Sequence, residues 1–203
     1  MASKILVVIP LSVKEQWCKE LEKWAKVRVI IFHGGTKKKR EAELEKILEK
    51  GGVCITTYGT LLTNADSLAE SEGDRIKWDY IICDEGHKIK NPSSKISKAI
   101  RSIDSERRIL MTGTPILNKL KEMWALFDFV MPGLLESKYP SFSRKYEEKI
   151  VNGTRRNASE EEKEIGEETV DLLKKIISPY FLARKKSDIF SENTQSSTDQ
   201  KER

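Results

Sequence analysis

The sequence predicts a three-layer α/β domain on a mainly parallel sheet, followed by a helical extension. Three observations predict it. Short apolar runs alternate with helix-period segments over the first two-thirds of the chain. The first run, Ile5–Ile9, is wholly aliphatic, and beyond Met131–Leu135 the strand-like runs stop. A continuous aliphatic run suits a strand buried on both faces, as in a parallel sheet covered by helices. Strand–helix alternation is the pattern of that architecture.

The elements follow in order. Ile5–Ile9 reads as the first strand. Val13, Trp17, Leu21 and Trp24 recur at helical spacing over Val13–Ala25, so the Trp17/Trp24 pair reads as core. Val27–Phe32 is a second strand. Lys37–Glu49 is a charged helix with Leu44, Ile47 and Leu48 on its apolar side, and its opening Lys37-Lys38-Lys39-Arg40 reads as a solvated face. Val53–Thr57, Trp78–Cys83 and Arg108–Met111 are the third, fourth and fifth strands, with a helix at Ser93–Ile103 between the last two. Lys119–Met131 is an amphipathic helix carrying Leu120, Met123, Trp124, Phe127 and Val130 on one side. Further helices are expected at Tyr139–Ile150 and Glu161–Ile177, around the polar stretch Asn152–Ser159. The expected division is a lobe over residues 1–133, an extension over 134–190 and a disordered tail over 191–203, where no aliphatic residue occurs.

Composition narrows the class. The 203 residues carry 37 basic and 32 acidic side chains, a formal net charge of +5, and 38% are hydrophobic. That modest excess fits a polyanion-binding protein as well as a solvated surface. Cys18, Cys54 and Cys83 form no CxxC pair, so neither a disulfide framework nor a zinc site is expected. Cys54 and Cys83 lie in apolar runs and read as core thiols. The opening apolar run is too short for a signal peptide, and no stretch approaches a membrane span, so no membrane partner is expected. The expected setting is a reducing compartment, nucleus or cytosol.

The sharpest chemical feature is Trp78-Asp79-Tyr80-Ile81-Ile82-Cys83-Asp84-Glu85-Gly86-His87, a strand that ends in two carboxylates, a glycine and a histidine. Ligands of open α/β sheets bind beyond the carboxyl ends of the strands. The first carboxylate, Asp84, can hold Mg²⁺ through water, and Glu85 can polarise a water attacking a γ-phosphate. Gly86 permits a tight turn, and His87 can link a phosphate site to its neighbours. Acids after a strand also suit a helix N-terminus. A second strand, Arg108–Met111, ends in Thr112-Gly113-Thr114-Pro115, less than thirty residues later. One crossover helix spans that distance, so the turn is expected beside the carboxylates. His33, next to Gly34-Gly35, reads as a turn residue.

These motifs occur in a set order: Ile-Pro-Leu-Ser…Trp (Ile9 to Trp17), Ile-Thr-Thr-Tyr (Ile55 to Tyr58), Asp-Glu-Gly-His, Leu-Met-Thr-Gly-Thr-Pro, Met-Trp-Ala-Leu-Phe-Asp-Phe (Met123 to Phe129) and Pro179 to Asp188. Together they resemble the Swi/Snf-type, helicase-like DNA-dependent ATPases, over roughly residues 4 to 190. The Trp-Asp-Tyr…His-Lys-Ile-Lys-Asn run and the helical tail look most like the Cockayne syndrome group B subgroup. The resemblance implies that residues 1–133 form a RecA-like lobe acting on ATP and Mg²⁺. It implies Asp84 as the Mg²⁺ carboxylate and Glu85 as the catalytic one, with His87, Gly113, Thr114 and Pro115 coupling hydrolysis to DNA. It also implies that Pro10, Leu11, Ser12, Thr56, Thr57 and Tyr58 touch the backbone of double-stranded DNA. Hydroxyls and backbone N–H groups at helix starts suit phosphate, and such contacts carry no sequence information.

The chain also departs from that family. No segment reads GxxxxGK[ST], the loop that cradles β- and γ-phosphates. By the resemblance that loop lies upstream and a second lobe lies downstream, so these segments are expected as partners in a longer form. Ile116-Leu117-Asn118-Lys119 stands where the family has Ile-Gln-Asn-Asn, and Ala183-Arg184 where it has paired arginines. Three functions remain open at this level: part of a DNA-dependent ATPase, a non-hydrolysing DNA- or partner-binding module, and an RNA helicase of the DExH type.

Overall fold

The computed structural model describes residues 3–113 and 119–183. Thr114, Pro115, Leu117, Asn118, Arg184 and the expected disordered tail at 191–203 lie outside the described residues. The chain divides into two compact units, Met1–Ser143 and Arg144–Arg203.

The first unit is built on five parallel strands: β1 (Lys4–Ile9), β2 (Val29–Phe32), β3 (Gly52–Thr57), β6 (Lys77–Cys83) and β7 (Asp104–Leu110), in spatial order β2-β3-β1-β6-β7. β1 is central, and its alternate residues feed two cores, as the two-residue period of a strand requires. Leu6 and Val8 point into the larger one, with Phe32, Ile47, Cys54, Leu61, Leu68, Trp78, Ile81, Ile100 and Phe129. Val7 and Ile9 point into the smaller one, with Val53 and Ile55. The predicted burial of Cys54 and Cys83 holds: both are fully inaccessible.

The crossovers obey one hand. From β1 the chain moves toward β2 through helix α1 (Lys14–Trp24), whose Trp17, Cys18 and Leu21 pack on the smaller core. Every later crossover moves the opposite way and uses the other face. These are α2 (Lys37–Lys50) to β3, helices α3 (Tyr58–Thr63) and α4 (Ala65–Ala69) with the hairpin β4 (Glu70–Ser71) and β5 (Asp74–Arg75) to β6, and α5 (Lys95–Arg101) to β7. Reversing both direction and face keeps each βαβ unit right-handed, as strand twist demands. Helix α6 (Leu120–Val130) then adds Leu126 and Phe129 to the larger core. Arg101 ties α5 to α6, donating to Asp128 Oδ2 (2.8 Å) and to the Ala125 carbonyl (2.8 Å).

Three expectations change. Trp24 is not core: it is 75% exposed, and its Nε1 bonds Glu20 Oε2 on its own helix at 2.7 Å. It stands in the last turn of α1, past the residues that reach the sheet. The fifth strand starts at Asp104, four residues before Arg108, because an edge strand half open to solvent tolerates Asp-Ser-Glu-Arg in place of an apolar run. The small elements α3, α4, β4 and β5 carry too few apolar residues for any period to register; α3 is set by its cap instead, with Thr57 Oγ1 accepting from Thr60 N at 3.2 Å.

Helix α7 (Tyr139–Phe142) closes the first unit, and its ring stack of Tyr139 on Phe142 spans 6.2 Å. In the second unit, helices α8 (Glu148–Gly153) and α9 (Glu160–Ile177) cross closely; a Cβ on Gly153 would lie 2.7 Å from the Glu162 carbonyl oxygen. Ser159 and Glu162 form a reciprocal capping box at the start of α9. No described helix is long and apolar enough to cross a membrane.

Candidate ATP and DNA-backbone site

β1 and β6 are hydrogen-bonded neighbours whose chains leave toward opposite faces, α1 on one and α5 on the other. Where adjacent strands diverge in this way, a crevice opens beyond their carboxyl ends. Pro10–Val13 and Asp84–His87 border it.

Asp84 is the most heavily anchored residue there. Its amide donates to the Val8 carbonyl (2.9 Å), continuing the β1–β6 ladder by one bond. Its Oδ1 accepts the Glu85 amide (2.9 Å), its Oδ2 accepts Trp17 Nε1 (2.9 Å), and its carbonyl accepts the Tyr58 hydroxyl (2.6 Å). Burial above all, with the Asp84 and Glu85 carboxylates adding to it, pushes the Tyr58 phenol far above its usual range, so it stays a neutral donor. Burial likewise pushes the Cys83 thiol up to about 12, which keeps a second negative charge away from Asp84.

Glu85 adopts φ 51° and ψ 50°, the left-handed region. Non-glycine residues there carry strain of about 1–3 kcal/mol and concentrate at functional sites. The turn aims a carboxylate that is 42% exposed out of the sheet edge. Glu85 Oε2 lies 3.1 Å from His87 Nδ1, but the pair is not aligned as a hydrogen bond, and Nδ1 is buried without one.

Gly86 lies in the expected tight turn, but its φ is not positive, and the glycine is needed there for space. A Cβ on Gly86 would overlap Leu110 Cγ, Cδ1 and Cδ2. Gly86→Ala should therefore lower stability by about 1–3 kcal/mol, the usual range for overpacking. Urea unfolding of the variant checks this; Leu110→Ala in the same chain should restore part of the loss, and an unchanged midpoint would mean Leu110 yields freely.

The loop after β7 is stitched to this turn. Met111 N donates to the Cys83 carbonyl and Gly86 N to the Met111 carbonyl, both at 2.8 Å. Gly113 follows two residues on, at the same sheet edge as Asp84. Thr114 and Pro115 lie outside the described residues.

Of the six residues expected to touch a phosphate backbone, Pro10, Leu11, Thr57 and Tyr58 line one cavity of about 420 Å³. Leu11 and Ser12 are exposed on a short 3₁₀ turn, Leu11–Val13, that leads into α1. Thr56 leaves the set: it is fully buried, and its hydroxyl donates to the Phe32 carbonyl at 2.9 Å. The same cavity gains His33, Thr60, Thr63 and Lys88. His33 is more than a turn residue, since its Nδ1 bonds Thr60 Oγ1 (2.6 Å) and lies 3.3 Å from Thr57 Oγ1. Lys88 stands 6.0 Å above the Tyr58 ring. Arg40, expected on a solvated face, instead pins the Gly34 and Gly35 carbonyls and Asn64.

The site suits MgATP by its donor set. Mg²⁺ in nucleotide sites takes one or two carboxylates and otherwise water and phosphate oxygens. Asp84 keeps free lone pairs on both oxygens after its two hydrogen bonds. Among the described residues no cluster of three or more His, Cys, Asp or Glu side chains could hold a metal alone.

The comparisons with known proteins agree with this architecture. The family model described as "SNF2-related domain" matches residues 1–202. The DNA excision repair protein ERCC-6-like of Danio rerio is 43% identical over 190 residues, covering 93% of this chain and 13% of that protein. Protein CHROMATIN REMODELING 24 of Arabidopsis thaliana is 39% identical over 201 residues, covering 95% of this chain and 18% of the other. The Sulfolobus solfataricus SWI2/SNF2 ATPase core solved in complex with dsDNA superposes with a TM-score of 0.69 at 36% identity, over 90% of this chain and 34% of that one. The chain thus spans less than a fifth of these curated relatives' lengths, and its sheet is that of a RecA-like lobe. A family match over nearly every residue, carried on the same sheet, makes this chain a member of the SNF2-related domain family.

Proposed function

We propose that this chain is part of a DNA-dependent ATPase motor of the Swi/Snf type, handling MgATP at Asp84 and Glu85 and the duplex backbone at the neighbouring loops. One observation carries the reading: the strand-end carboxylates and the cavity lined by Pro10, Leu11, Thr57 and Tyr58 meet at one sheet edge, joined through Asp84. Bound MgATP supplies the phosphoryl group and a cation that offsets the charge developing on it. Asp84 would hold the cation through water. Glu85 orients the attacking water and accepts its proton, and His87 and the Gly113 loop register the state of the site. Pro10, Leu11, Ser12, Thr57 and Tyr58 follow the phosphate backbone without reading bases. The relatives named for DNA repair and chromatin remodelling support action in the nucleus.

The motor is longer than these residues in this reading. The β7 edge has no strand partner among the described residues, and Ile109 and Met111 are 43% and 37% exposed there. A further strand and helix carrying a phosphate loop fit that edge, and a second lobe completes the cleft. One alternative, a module that binds DNA or a partner without hydrolysis, tolerates the departures from the family at Leu117, Lys119 and Ala183.

The motor reading requires backbone binding, which fluorescence anisotropy measures directly. Two duplexes of unrelated sequence should bind this chain equally, with affinity falling log-linearly in salt. Lys88→Ala should weaken both equally and reduce the salt slope by about one. Binding that depends on sequence, ignores salt, or is absent overturns the reading.

A further inference from the structure

Asp84 is held from two sides by residues that belong to the DNA-facing loops. Trp17, whose indole N–H reaches Asp84 Oδ2 at 2.9 Å, stands in the first turn of α1, just past the exposed 3₁₀ turn Leu11–Val13. Tyr58, whose hydroxyl reaches the Asp84 carbonyl at 2.6 Å, is the first residue of α3 and lines the cavity shared with Thr57 and Lys88. The two bonds cross 67 and 26 residues of sequence and converge on one residue.

The two anchors differ in stiffness. Tyr58 is buried, and α3 is locked by the Thr57 cap and the His33–Thr60 bond. Helix α1 has no fully buried residue and rests on the sheet through the partly buried Trp17, Cys18 and Leu21. Among the described residues, the Trp17–Asp84 bond is the one long-range side-chain hydrogen bond that α1 makes. Elements with few buried contacts are those that shift at low free-energy cost. A phosphate seated on the Leu11–Val13 turn pulls on the end of α1 nearest Trp17, and any movement of the indole is felt at the Asp84 carboxylate. An indole N–H on Oδ2 also fixes which lone pairs remain for the cation.

We propose that Trp17 is a positioning residue that conveys occupancy of the Leu11–Val13 turn by a DNA phosphate to the Asp84 carboxylate, with Tyr58 as the fixed anchor on the other side. This rests on the proposed reading of those loops as backbone contacts. It makes α1 the lever and Asp84 the point acted on, so that DNA presets the metal carboxylate before nucleotide chemistry begins.

The test uses the 203-residue chain with ¹⁵N labelling and a short duplex of mixed sequence. The indole N–H resonance of Trp17 is assigned by through-bond connectivity in the unmodified chain, and Trp17→Phe confirms it. Adding duplex should shift the Ser12 amide, the Trp17 indole and the Glu85 amide along one titration curve. In Trp17→Phe the Ser12 amide should still respond while the Glu85 response is lost; in Tyr58→Phe the Glu85 response should persist. A responding Ser12 amide with a silent Trp17 indole and Glu85 amide overturns the lever and leaves backbone binding standing. A Glu85 response that survives in Trp17→Phe overturns it as well. Silence at all three positions overturns the backbone reading and the lever together.

Discussion

Trp78→Ala should lower the stability of the first unit by about 3–5 kcal/mol, the range for removing a large buried aromatic. Trp78 has no exposed surface, packs in the larger core, and donates its Nε1 to the Leu68 carbonyl at 2.9 Å. The indole therefore does two things: it fills the space beneath β6 and fastens α4 to the strand that leads into Asp84. Trp78→Phe keeps most of the volume but leaves a buried carbonyl unpaired, and should cost about 1–3 kcal/mol. Urea unfolding of the three proteins separates the two contributions. A loss below about 1 kcal/mol for the alanine variant would mean that the core beneath β6 collapses without penalty, contrary to its tight packing.

The strand ends were the most legible part of this molecule. Ile5–Ile9 and Trp78–Cys83 read as buried strands because they are covered on both faces, and their carboxyl ends then fixed where Pro10 and Asp84 had to lie. Local rules located the carboxylates but could not reach what holds them. Trp17 meets Asp84 across 67 residues, and helical spacing gave the same reading for Trp17 as for Trp24, although only the first reaches the sheet and the site. The left-handed Glu85 follows no residue preference, since the surrounding ladder imposes it. Gly86 was legible as a glycine position but for a different reason: the demand comes from Leu110 on the adjacent strand. Thr56 and Thr57 are adjacent hydroxyls in one motif, yet one is consumed inside the sheet and the other caps α3, a difference set by the strand's end.

The functional account turns on Glu85. Its carboxylate is exposed, strained into place, and next to Asp84, which Trp17 and Tyr58 grip from two sides. Glutamine keeps its size and hydrogen-bonding shape but cannot accept the proton of an attacking water. General-base removal of this kind lowers rates by about 100- to 10,000-fold. The most direct measurement is ATP hydrolysis, with and without duplex DNA, by the natural protein and by its Glu85→Gln variant. The account predicts hydrolysis raised by duplex DNA in the first, and at least about a 100-fold loss in the second with MgATP binding retained. Hydrolysis that ignores DNA, or a Glu85→Gln protein as fast as the unmodified one, would contradict it.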